Sequence, residues 1–131
     1  MGKYFLLDTH TLLWWANAAP TLGKKAAKMI AAQGNEILLS HVSAWEMAIK
    51  VNTGKLTLPQ PVAEFFNTQI SVNQFKPLPI KLEHVAAVAT LRPHHRDPFD
   101  RLLIAQAMCE NLPIISADPQ FDAYAVTRIW E

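Results

Sequence analysis

The chain has one cysteine, Cys109, so no disulfide can form within it. That suits a reducing compartment. Charge is also scarce. Charged residues make up 18 % against roughly a quarter in ordinary domains, and 50 % of residues are hydrophobic. This composition excludes a charge-rich disordered chain and allows a real core. The formal net charge of +1 excludes a polycation that grips nucleic acid by bulk charge. Such a partner would have to be met by local basic patches or by metal ions. No apolar run approaches the roughly 20 residues of a membrane span. Behind Met1-Gly2-Lys3, the apolar run Tyr4–Leu7 ends at Asp8, too short for a secretory core. A soluble, cytoplasmic protein with no membrane partner is expected. Neither Cys-x-x-Cys nor His-Glu-x-x-His occurs, so zinc is not expected. There is no repeat, low-complexity tract or break in composition, and residues 1–131 read as one domain.

What is present is an alternation of short apolar runs with helical patterns, the signature of a parallel sheet covered by helices. Strands are expected at Lys3–Leu7, Glu36–Ser40, Phe75–Pro79, Pro113–Ser116 and Val126–Trp130. The prolines weaken the third of these. Helices are expected over Thr9–Ala18, stopped by Pro20, and over Leu22–Gln33, ended by Gly34. Others follow at Ser43–Thr53, closed by Gly54, at Pro61–Ile70, at Lys81–Leu91 and at Pro98–Asn111.

Several acids fall just past a strand and at the start of a helix. Asp8 follows the first strand and Asp118 the fourth; Glu46 is placed in the first helical turn after the second, and Asp100 opens the long helix. Open parallel sheets bind ligands outside the carboxyl ends of their strands. Asp8, Glu46 and Asp118 can converge there, and Asp100 joins them if its helix starts at the same rim. Each acid also has a capping explanation. Ser43-Ala44-Trp45-Glu46 has the spacing of a capping box. Asp97-Pro98-Phe99-Asp100 repeats it, with Asp97 as cap and Pro98 at the first helical position. Asp118-Pro119 and Asp8 suit caps too. A cap contributes about 1 kcal/mol, enough to explain any one of them. The joint pattern points further. Clustered carboxylates repel one another unless cations or protons neutralise them. Hard oxygen donors suit Mg²⁺ or Mn²⁺. Two such ions about 4 Å apart can activate water and stabilise the leaving oxygen of a phosphodiester.

Other residues have two readings each. His10 could touch a phosphate or bond locally at the helix start. His94 and His95 could bind RNA or move a proton, or serve as plain loop residues. Arg96 and Arg101 could meet phosphate or pair with the acids. Lys24, Lys25, Lys28, Lys50 and Lys55 could track an RNA backbone or form a solvated face. Trp14, Trp15, Trp45, Phe65 and Phe66 could stack on bases or belong to the core or an interface. Met108 and Cys109 read as core.

Four segments carry a resemblance: Tyr4–Trp15 (YFLLDTHTLLWW), Ile37–Lys50 (ILLSHVSAWEMAIK), His95–Ala107 (HRDPFDRLLIAQA) and Ile114–Tyr124 (IISADPQFDAY). In this order they resemble the PIN-domain family, and more closely the VapC-like toxins of bacterial toxin–antitoxin pairs. The third string is the specific one. The resemblance implies an α/β fold, a three-layer α/β/α sandwich on a parallel sheet of four to five strands. It implies an endoribonuclease dependent on Mg²⁺ or Mn²⁺, acting as a toxin that inhibits translation. Its partners would be an RNA substrate, a cognate antitoxin protein and a second copy in a homodimer. The family's acids fall on Asp8, Glu46, Asp100 and Asp118, with Asp8 and Asp100 as principal metal ligands. Asp97 is an extra acid of this subgroup, read as the helix cap with a supporting role. Ser116 stands where many relatives have threonine, and its hydroxyl can orient a carboxylate.

Two other readings compete. A haloacid-dehalogenase-like phosphatase would use Asp8 as nucleophile, but such enzymes carry Asp-x-Asp and this chain has Asp8-Thr9-His10. A non-catalytic module binding RNA or protein would have no need of the four acids.

Overall fold

A strand buried on both faces needs a continuous apolar run, and Phe5–Leu7 supplies one within β1 (Lys3–Leu7), the middle strand of a five-stranded sheet. The computed structural model describes residues 3–130. Met1 and Gly2, which open the leader reading above, lie outside the described residues, as does Glu131. The chain continues through α1 (Thr9–Ala16), α2 (Lys24–Ala31), β2 (Asn35–Ser40), α3 (His41–Asn52), α4 (Val62–Asn73) and β3 (Lys76–Leu78). It ends with α5 (Leu82–Val88), α6 (Pro98–Cys109), β4 (Ile114–Ile115), a short 3-10 helix (Pro119–Ala123) and β5 (Arg128–Ile129). Strand order is β3-β2-β1-β4-β5, and every pairing is parallel. Leu6 registers with Leu38 of β2 on one side and with Ile114 of β4 on the other.

Alternate residues of β1 enter opposite cores, as the two-residue period of a strand dictates. Phe5 and Leu7 pack with Leu12 of α1, Ile30 of α2 and Phe65 and Phe66 of α4. Leu6 packs with Leu103 and Ile104 of α6 and with Phe121. The expected α/β/α sandwich is therefore present, with helices on both faces of a parallel sheet. Pro77 is tolerated in β3 because that strand is an edge. Among the described residues, no helix is long and apolar enough to cross a membrane.

Several expectations need correction. Helix α1 ends at Ala16, since Ala18 turns to a positive φ of 50°. Helix α2 starts at Lys24, because Gly23 holds extended backbone as its cap. Pro61 precedes α4 as its cap residue, and the helix runs on to Asn73 before Gln74 turns left-handed at φ 58°. Helix α3 begins at His41, capped by Ser40, whose hydroxyl accepts from the Val42 amide at 2.9 Å. The capping-box reading of Ser43 and Glu46 fails with it. Met108 and Cys109 are exposed, not core.

Candidate metal centre

The strand order reverses at β1, with β2 and β3 on one side and β4 and β5 on the other. Connections then leave β1 and β4 in opposite directions and open a crevice beyond their carboxyl ends. Asp8 and Ser116 are the residues that follow these two strands. The Ser116 hydroxyl donates to Asp8 Oδ2 at 2.5 Å and accepts from the Asp118 amide at 3.0 Å. One hydroxyl thus spaces two of the acids. Asp8 also caps α1, its Oδ1 accepting from the Thr11 amide at 2.7 Å. The Thr11 hydroxyl donates to Ile115 O at 3.0 Å and ties α1 to β4. Asp8 is almost fully buried, and burial pushes its carboxyl above the usual range; the bonds from Ser116 and Thr11 oppose this.

Glu46 reaches the same place from the interior of α3, not from its first turn. It is 2 % exposed. Lys50, one helical turn on, holds Glu46 Oε2 at 2.6 Å, while Oε1 is buried with no partner. Lys50 is therefore paired with an acid of the cluster. Beside Glu46, the Thr9 hydroxyl donates to the buried Ser43 hydroxyl at 2.9 Å, which fastens α1 to α3.

Asp97 and Asp100 come from the start of α6. Asp97 is the cap, accepting from the Phe99 and Asp100 amides at 2.8 and 3.0 Å, with Pro98 in the first turn. Both bonds fall on Oδ1, as its cap reading expected. Asp100 is pushed up to about 7, first by burial and then by the charges of Asp97, Glu46 and Asp8, with His95 opposing. Those charges reach it because all of these groups share one end of the sheet. Asp118 caps the 3-10 helix, Oδ1 accepting from the Gln120 amide at 2.9 Å. The structure thus brings Asp8, Glu46, Asp100 and Asp118 together, with Ser116 bonded between two of them.

His95 is the residue that sequence reasoning undervalued. Its Nε2 lies 2.8 Å from Asp100 Oδ2 and 3.7 Å from Asp118 Oδ2, without hydrogen-bond alignment to either. A ligand atom from each of His95, Asp100 and Asp118 fits within 4.8 Å of the others. The loop that carries His95 is fixed by Arg101. Its guanidinium donates to the carbonyls of Val88, Leu91, Arg92 and His95 at 3.1–3.5 Å. Arg101 thus serves the backbone carbonyls of this loop. The only sequence sign was that His95 stands two residues before the cap Asp97.

A second group of ligand-type residues, Glu83, His84 and Glu110, lies toward the other end of α6. It reads as scaffold. His84 is fully buried, accepts at Nδ1 from the Lys81 amide at 3.0 Å and faces Glu110 at 2.7 Å through Nε2. Its hydrogen bond holds the Glu110 carboxyl below the usual range.

The donor set at the strand ends suits a hard divalent cation. It offers carboxylate oxygens, an unpartnered buried oxygen on Glu46, and mutual repulsion that a cation would relieve.

The PIN domain family model matches residues 5–126. No curated protein matches closely enough to count as a relative. Solved structures share the fold at low identity. A chain of VapBC2 from Rickettsia felis, bound to a DNA fragment of its promoter, is 15 % identical with a TM-score of 0.71 over 98 % of this chain and 99 % of that one. A chain of DNA-bound VapBC from Salmonella typhimurium is 12 % identical, TM-score 0.67, covering 98 % of both chains. A chain of FitAcB from Neisseria gonorrhoeae is 18 % identical, TM-score 0.63, over 98 % and 96 %. With nearly its whole length matched by the family model, this chain belongs to the PIN domain family.

Proposed function

We propose that this chain is a metal-dependent endoribonuclease, the toxin of a toxin–antitoxin pair, which cleaves RNA and inhibits translation. The observation that carries the reading is the meeting of four carboxylates at the crevice, one with its pKa near 7 and one with an unpartnered buried oxygen. Asp8 and Asp100 would hold Mg²⁺ or Mn²⁺, with Glu46 and Asp118 completing the set. A divalent ion bound there polarises the phosphodiester and raises the acidity of water. The protein's own part is positional. Ser116 and Thr11 orient Asp8, Asp97 fixes the helix that presents Asp100, and Lys50 restrains one oxygen of Glu46. His95 lies between Asp100 and Asp118.

Two of the solved structures named above hold DNA. By likeness, a cognate antitoxin would cover the acidic crevice and carry operator recognition. Two copies of this chain would form a homodimer.

The test is cleavage of total cellular RNA by the purified chain in Mg²⁺, Mn²⁺ or EDTA, with Asp8→Asn and Asp100→Asn alongside. Discrete cuts that need metal and vanish in both variants are expected. Well-folded protein that binds RNA in EDTA and never cuts would favour the non-catalytic module instead.

A further inference from the structure

We propose that the cleft beside Asp8 and Asp118 is a nucleobase subsite. One unpaired base of the RNA stacks there on Trp14, while the adjoining phosphodiester lies at the carboxylates. The proposal rests on the nuclease reading and names part of what that site recognises.

The cleft has a volume of about 290 Å³ and is lined by Asp8, His10, Trp14, Ala117 and Asp118. Two of its walls are therefore acids of the candidate metal centre. The others are an indole, an imidazole and a methyl group. The His10 ring lies 6.0 Å from Trp14, tilted by 34°, and Trp130 backs Trp14 from 5.8 Å. Three rings thus form one continuous array that ends at the acids. None of the described lining residues is a lysine or arginine. The cleft suits the neutral face of a base, not a phosphate.

Size narrows the occupant. Small-molecule clefts span about 300–1,000 Å³, so this one sits at the bottom of that range and holds one flat ring system. Stacking on an aromatic side chain requires a base free of its partner, which makes the substrate single-stranded at this nucleotide. The face of every base can stack, so Trp14 sets where the chain lies more than which base is chosen. The acids beside it then select, since Asp118 can accept from a base amino group but repels carbonyl edges.

The experiment uses a synthetic single-stranded RNA spanning a mapped cut, with one base at a time removed to leave the bare sugar. Wild type and Trp14→Ala are compared. One abasic position next to the cut should lower kcat/KM of the wild type by about 5- to 150-fold, the range measured for single stacks. The same lesion should cost Trp14→Ala almost nothing further, because the stack is already gone. Trp14→Phe should keep most of the wild-type penalty, and Mn²⁺ binding should be the same in all three. Should Trp14→Ala fail to fold, His10→Ala takes its place and should shrink the penalty. An abasic penalty of equal size in both chains, or none at any position, overturns the proposal. So does a Trp14→Ala chain with unchanged kcat/KM that has lost inhibition by a protein partner, since the cleft would then receive protein. If the wild type cuts nothing, the nuclease reading fails separately, and the same abasic series is read by fluorescence polarisation. Binding that loses its dependence on one base in Trp14→Ala then keeps the subsite; binding that does not overturns it.

Discussion

Asp100→Asn should stabilise the metal-free fold at pH 8 while removing its response to divalent cations. Asparagine keeps the shape of the side chain and its place in the first turn of α6. What it removes is a charge that burial, Asp97, Glu46 and Asp8 oppose and only His95 favours. The carboxyl moves from 3.8 to about 7 on folding. The native state therefore holds more protons than the unfolded chain between these values. Stability falls as pH rises through that window and is lowest above it. The move corresponds to at most about 4 kcal/mol. The side chain is 20 % exposed, and solvent screening trims the gain to about 1–3 kcal/mol. The assay is urea unfolding in EDTA at pH 8 and at pH 4. The variant should be more stable by that amount at pH 8 and nearly equal to wild type at pH 4. Mg²⁺ or Mn²⁺ at pH 8 should raise the wild-type midpoint and leave the variant unmoved. Equal destabilisation of the variant at both pH values would refute the reasoning.

Ser116→Ala should cost about 1–3 kcal/mol by urea unfolding, because it strips a hydrogen bond from a buried carboxylate and another from the Asp118 amide; Ser116→Thr should restore both stability and cleavage. Lys50→Ala leaves the buried Glu46 carboxylate without a partner and should destabilise the chain by about 1–3 kcal/mol in EDTA, a loss that Mn²⁺ should largely repair in a calorimetric melt. Ser40→Ala removes the cap of α3 and the partner of the buried Gln106 amide oxygen at 2.5 Å; a cost of about 1–2 kcal/mol and faster amide exchange at Val42 are expected. Arg101→Ala should release the carbonyls of residues 88–95, seen as faster exchange in that loop and lower cleavage with α6 intact.

Asp8, Asp97 and Asp118 are legible in the sequence because punctuation marks them. Asp8 ends an apolar run, and prolines follow the other two at the first helical position. Glu46 is legible as an acid but not by its place. Ser43 and Glu46 imitate a capping box, yet β2 feeds directly into α3 with no loop, so Ser40 becomes the cap and the helix starts earlier. His95 carries only a weak local mark, its place two residues before the cap Asp97. Its position depends on how the loop folds back onto Arg101, a contact made across α5 and α6. Met108 and Cys109 mislead because α6 is apolar nearly all round, and periodicity then fails to say which end leaves the core. The parallel sheet follows from alternating strands and helices, whereas the central place of β1 depends on pairing between segments more than a hundred residues apart.

The most direct test of the central claim is Mn²⁺ binding to the purified chain by calorimetry at pH 7.5, in wild type and in Asp8→Asn. The expected result is a binding isotherm in the wild type that weakens at least tenfold in the variant, since one buried carboxylate ligand is gone. Binding of equal strength in both chains, or none in a well-folded wild type, would contradict a divalent cation site at these carboxylates.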